Sequence, residues 1–182
     1  MRRPLASTDI SLTFFTLIKP HPKTCYTSIT LVKTTRRATC RRELVLAAFA
    51  PALGEAHAPS QIHKLLFVLV TECSSALGDC DFDFMCGPYG PFGREIYGIL
   101  AALAEDGLVV ISREKLYPIY RLTVRGQAAG EKALGSLTPN MQTYFHRLSE
   151  WIRPLSFSQL AASIYKAYPE MAVNAVFQRN TE

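Results

Sequence analysis

The 182-residue chain is 48% apolar, enough for one self-supporting hydrophobic core, and carries a net charge of +5. Its five cysteines, Cys25, Cys40, Cys73, Cys80 and Cys86, contain no C-x-x-C pair, so their spacing excludes a disulfide framework and a zinc knuckle. Apolar runs such as Leu65 to Val70 are far shorter than the ~20 residues that cross a bilayer, and the chain reads as soluble, reduced and cytoplasmic, without metal or cofactor.

The charge is unevenly placed. Residues 1–42 hold nine Lys and Arg and one acid, a local charge of +8, and the rest of the chain carries −3. Residues 1–40 are rich in Ser, Thr and Arg and follow no helical or strand period, so a disordered or non-native extension is expected there. A transit peptide fits the same bias, Asp9 inside the apolar stretch argues against a secretory signal, and a basic nucleic-acid-binding arm stays open. Residues 41–182 are expected to form one globular domain.

Glu43 to Leu53 is apolar almost throughout after its first residue, which predicts a buried helix ending near Pro51. After Pro59 and Ser60, the spacing of Ile62, Leu65, Leu66 and Leu69 predicts an amphipathic helix closed by Gly78. Gly93 to Gly107 (GREIYGILAALAEDG) predicts a third helix, with Ile96, Ile99, Leu100 and Leu103 on one face and Gly107 as its stop. Leu108 to Ser112 and Ile119 to Leu122 flank a polar segment and predict a β-hairpin. Thr123 then caps a helix through Leu137, weakened by Gly126 and Gly130.

Helix, helix, presented helix, hairpin, helix is the order of a winged helix-turn-helix. The fold class is mainly α with a small β-hairpin, an α+β core over about residues 42–137. Thr138-Pro139 opens another helix, whose stripe of Met141, Tyr144, Phe145, Leu148, Ile152 and Leu155 is interrupted near Pro154. Ser156 and Gln159 form a capping box for the last one, with Phe157, Leu160, Ala161 and Ile164 on its apolar face and Pro169 at its end. This C-terminal pair, about residues 138–168, packs on the core or serves as a homodimerisation or partner arm.

Between these helices, Cys86 to Tyr97 (CGPYGPFGREIY) spaces three glycines by three. A phosphate cradle aims consecutive backbone N–H groups at an anion, but Pro88 and Pro91 delete two donors and no Lys, Ser or Thr opens the following helix. The stretch is therefore read as rigid turns that set the direction of the helix.

The phrases HKLLFVLV, FDFMCGPYGPFGREIYGILAALAEDGLVVI and YRLTVRGQAAGEKAL resemble winged-helix proteins of the Panacea type, the SocA-like antitoxin domain group. The features of that group fall on Lys64, Leu65, Tyr89, Gly90 and Pro91, and the Leu-Thr-x-x-Gly phrase at Leu122 to Gly126 is common among winged-helix regulators. The resemblance implies antitoxin- or adaptor-like contacts with a protein partner, such as a toxin, sometimes a transcriptional role, and no catalytic residues.

The outer face of the presented helix, Arg94, Gly98, Ala101, Ala102 and Glu105, offers one side chain suited to base edges and small residues suited to close packing. It is the candidate surface for a protein partner. Arg113, Lys115, Arg121 and Arg125 around the hairpin are the candidate contacts to a DNA backbone, the alternative being a solvated wing surface. His63 and His146 lack nucleophile and acid partners at catalytic spacing, and Cys73, Cys80 and Cys86 read as small core or boundary residues. Asp79, Asp81 and Asp83 alternate but lack the glycine and terminal glutamate of a calcium loop.

Overall fold

The computed structural model describes residues 41–77, 80, 82–113 and 117–176, all within Arg37–Glu182, the second of two units into which the chain divides. The expectations for residues 1–40, and for Gly78, Asp79, Asp81 and Lys115, lie outside the described residues. The described part is mainly helical with two small antiparallel strand pairs, an α+β arrangement.

Helix α1 (Arg41–Phe49) runs into a 3-10 turn over Ala50–Ala52, and every residue from Leu44 to Ala52 is buried, as a run without a polar face requires. Helix α2 (Pro59–Leu77) buries Ile62 to Leu69 without a break and leaves helical geometry at Cys73. Between them His57 exchanges both backbone hydrogen bonds with Tyr120 and stacks on Phe49 with ring centroids 4.6 Å apart.

The Tyr-Gly-Pro stretch is more ordered than a set of turns. Strands β1 (Met85–Gly87) and β2 (Gly90–Phe92) pair antiparallel around Pro88 and Tyr89, with Gly87 opposite Gly90. Gly90 has φ +98°, which L side chains rarely adopt and which explains the glycine. The C-terminal segment fastens this hairpin: Val176 N–H donates to Pro88 C=O at 3.0 Å and Asn174 Nδ2 donates to Cys86 C=O at 2.9 Å.

Helix α3 (Glu95–Glu105) buries Ile96, Leu100 and Leu103. It ends as its sequence predicts, with Gly107 at φ +70° while Leu108 N–H reaches Leu103 C=O and Gly107 N–H reaches Ala104 C=O, a Schellman closure. Strands β3 (Val109–Ser112) and β4 (Ile119–Leu122) pair with Val110 opposite Arg121 and Ile111 opposite Tyr120. The Thr123 hydroxyl accepts the Gly126 N–H at 2.9 Å and starts α4 (Val124–Gly135).

The two glycines of α4 have a packing role beside their low helix propensity. A Cβ on Gly130 would stand 2.5 Å from the Leu46 carbonyl oxygen, and one on Gly126 1.9 Å from that of Leu108. They are the positions where α4 lies directly against α1 and the start of β3, so the missing side chain is what permits the packing.

Helix α5 (Pro139–Ile152) and helix α6 (Phe157–Ala167) follow, the latter with the expected Ser156–Gln159 capping box, and a 3-10 turn over Pro169–Ala172 closes the described fold. Both helices pack on α2, burying Phe145, Leu148, Trp151, Ile152, Leu160 and Ile164. Their apolar stripes are thus covered inside the chain, and a homodimer through these helices would have to use their outward faces. Phe157 corrects the expected stripe of α6: it points outward, 38% exposed, edge-on to Tyr89 at 5.4 Å.

Candidate functional site

Helix α3 is held at both ends by α1. Arg41 pairs with Glu95 in its first turn, and Arg42 pairs with Asp106 just beyond its last. Glu95 also accepts the Asp83 N–H at 2.9 Å, so this carboxylate is committed to the fold. The buried face of α3 fixes its rotation, and the predicted residues Arg94, Gly98, Ala101 and Glu105 line its exposed face while Ala102 is half-buried. Among the described residues beyond its own helix backbone and chain neighbours, nothing lies within 4 Å of the place a Cβ on Gly98 would take.

The β3–β4 hairpin leans against the same helix at its base and parts from it toward the tip. Val109, Tyr120 and Leu122 are buried, whereas Ile111, Arg113 and Tyr117 are exposed. The space left is a groove of about 380 Å³ lined by Tyr97 and Ala101 of α3 and by Ile111, Arg113, Tyr117, Pro118 and Tyr120 of the hairpin. Burial pushes the Tyr97 and Tyr120 phenols up, so both stay protonated and neutral at physiological pH. The one charged side chain in the lining, Arg113, makes no ion pair with a described residue.

The groove brings together one residue from each predicted set, Ala101 and Arg113. Arg94, Gly98 and Glu105 lie on the adjoining surface of α3, and Arg121 lies across β3 from Val110, on the opposite face of the hairpin from Ile111. Arg125 sits at the C-terminal end of α3, where its guanidinium would be 3.6 Å from a Cβ on Gly107 and opposes the negative end of the helix dipole. Tyr97, Ile111, Tyr117, Pro118 and Tyr120 escape sequence reasoning as site residues. Aromatic and branched residues in a helix and a hairpin read as core, and only the parting of the two elements exposes them.

Behind the groove stands a buried polar layer. His63 is 4% exposed; its Nδ1 accepts the Gly93 N–H at 3.2 Å, and its ring packs on Phe92 and on Tyr97. Burial, with the neighbouring Lys64 charge, lowers its pKa to about 4, so it is a neutral structural acceptor. Gly93 leads into α3 and Tyr97 lines the groove, so His63 links the Gly90 hairpin to the site wall.

Lys64 is also buried, with burial lowering its pKa to about 8. A Cβ on Gly90 would lie 3.5 Å from its Nζ, and the Tyr165 ring borders the same spot. Its presence beside Gly90 gives the Lys64 and Tyr-Gly-Pro features one shared location in the fold. Tyr89 itself is half exposed.

His146 is exposed on α5. Cys73 and Cys80 are buried, and Cys86 Sγ lies 3.7 Å from Met171 Sδ and 3.3 Å from the Glu170 carbonyl oxygen. Among the described residues no group of three or more His, Cys, Asp or Glu could hold a metal ion, and no helix is long and apolar enough to cross a membrane. No family model matches the chain, and neither a curated protein nor a solved structure does.

Proposed function

We propose that the chain is a winged-helix binding module, antitoxin- or adaptor-like rather than enzymatic, that acts by docking a protein partner on α3 and the β3–β4 hairpin. The observation that carries this reading is the groove itself, which unites Ala101 and Arg113 within a lining of three tyrosines, an isoleucine and a proline. Interfaces are anchored by tyrosine and arginine in concave, partly apolar sites, and this lining has that character. The outward face of α3 supports it too. Arg94 is its one cation and its one side chain suited to base edges, and Glu105 is negative.

Ala101→Arg tests the reading. Ala101 is exposed, so the variant should melt within about 1 °C of the parent, as surface changes usually do. It should nevertheless lose a partner retained by the parent chain in nuclease-treated affinity purification, because its side chain fills the groove. A DNA-binding regulator is the second reading, favoured by the exposure of Arg113, Arg121 and Arg125. It would be upheld instead by DNA binding that survives Ala101→Arg and disappears when those three arginines are neutralised.

A further inference from the structure

We propose that the partner engages as an extended strand added to the free edge of β3, placing apolar side chains in the groove and a carboxylate against Arg113. The inference rests on the protein-partner reading above and specifies its chemistry.

The edge follows from the hydrogen-bond register. Tyr120 exchanges both backbone bonds with His57, at 2.8 and 3.0 Å, so its N–H and C=O face away from β3. Ile111 lies directly opposite Tyr120 and therefore forms a non-hydrogen-bonded pair with it, its own N–H and C=O facing the outer side of β3. Val109 has the same orientation, two residues earlier. Among the described residues, no backbone group pairs with either on that side. Among the described residues, the hairpin thus has one edge met by His57 and one without a backbone partner.

Open edges are usually blunted by lysine, proline, a bulge or a covering segment, because they template further pairing. Here the strand is Val-Val-Ile-Ser, with Val110 50% and Ile111 39% exposed. An added strand would present alternate side chains to one face, and the face shared by Ile111 and Tyr120 is the face that lines the groove. Strand addition combines main-chain hydrogen bonds for affinity with pockets for alternate side chains, and the groove supplies the pocket.

Charge selects the occupant further. The lining contains one cation, Arg113, and no acid; of the acids of α3 and its end, Glu95 and Asp106 are paired with Arg41 and Arg42, and Glu105 lies outside the lining on the adjoining surface. An acidic residue in the added strand is the complementary group, able to accept a bidentate bond from the guanidinium.

The probe is an array of fluorescein-labelled peptides about six residues long, alternating valine or tyrosine with threonine and ending in glutamate. It is titrated against the full chain at physiological salt, beside the same peptides N-methylated at one or the other set of alternate amides. Binding is expected that one N-methyl register abolishes and the other tolerates, with exchange of the Ile111 amide slowed at least tenfold at saturation. Arg113→Glu should weaken it by about tenfold or more, and a lysine in place of the peptide glutamate should restore it.

Binding sensitive to Ala101→Arg but indifferent to N-methylation would overturn strand addition and leave a protein-binding groove standing. An Ile111 amide protected by dimerisation of the chain alone would overturn the proposal in favour of a second copy. Absence of peptide binding up to ~1 mM would overturn it as well. Salt-steep DNA binding lost on neutralising the hairpin arginines would overturn both this inference and the reading on which it rests.

Discussion

Two buried histidines and one buried lysine put a pH signature into the core. His57 and His63 both have pKa values lowered to about 4, by burial first and then by Arg153 and Lys64 respectively. A histidine with a depressed folded pKa supports stability fully above its unfolded value of 6.5, and that support is lost as pH falls toward 4. The fold should therefore weaken between pH 6.5 and 4, seen as a falling melting temperature. His57 is buried with its ring stacked on Phe49, so His57→Phe should flatten the fall with little change at pH 7. An unchanged acid profile in that variant would remove His57 from the account.

Lys64 behaves in the same direction at the other end of the scale. Its folded pKa of about 8 lies below the usual 10.5, so stability is reduced below pH 8 and recovers as pH rises through that interval. Lys64→Met should then stabilise the chain by about 1–3 kcal/mol at pH 7, since a buried charge is replaced by an apolar chain of similar length. The gain should shrink above pH 10. Destabilisation at pH 7 would mean that the ammonium makes a contact worth more than its desolvation.

At the scale of elements, the glycines separate packing from propensity. Alanine is favoured over glycine inside a helix by about 1 kcal/mol. Gly98 has open space around it and Gly130 has the Leu46 carbonyl at 2.5 Å from its would-be Cβ. Gly98→Ala should therefore stabilise by up to about 1 kcal/mol, and Gly130→Ala should destabilise by about 1–3 kcal/mol as α1 and α4 are forced apart. Urea unfolding of the two variants checks both signs. If both alanines stabilise, the close crossing of α1 and α4 is not obligatory.

The same contrast marks what the sequence reveals of this molecule. The Schellman stop at Gly107, the Thr123 cap, the Ser156–Gln159 box and the two strands of the hairpin are local features, set within a few residues, and each was legible. The roles of Gly126 and Gly130 depend on carbonyl groups of distant residues, so a local reading made them weak helix formers. Spacing puts Phe157 on the apolar face of α6, yet it turns outward to Tyr89. The site is half legible: the sequence puts Ala101 and Arg113 on separate surfaces, and their meeting depends on how far the hairpin parts from α3. His57 gave no local signal, because its partners Phe49 and Tyr120 come from opposite sides of the sequence.

For the whole molecule, the deciding quantity is where the charge resides. Residues 1–40 hold seven basic side chains and one acid, so they carry +6, and residues 41–182 carry −1. Two further cations, Arg41 and Arg42, are paired with Glu95 and Asp106. Duplex DNA should therefore bind the full chain through residues 1–40, with an affinity that drops steeply with salt, by a slope of about 0.9 for each phosphate contacted. A chain beginning at Cys40 should keep the melting temperature of the full chain, because the core from Leu44 onward supplies its own buried contacts. It should also lose nearly all DNA affinity, since Arg113, Arg121 and Arg125 stand against an overall negative charge and α3 exposes the acid Glu105. The experiment is a salt titration of both chains with the same duplex by fluorescence anisotropy. If the shorter chain binds as tightly as the longer one, and neutralising the three arginines flattens its salt slope by two to three contacts, the hairpin is a DNA-binding wing and the groove is not the principal site.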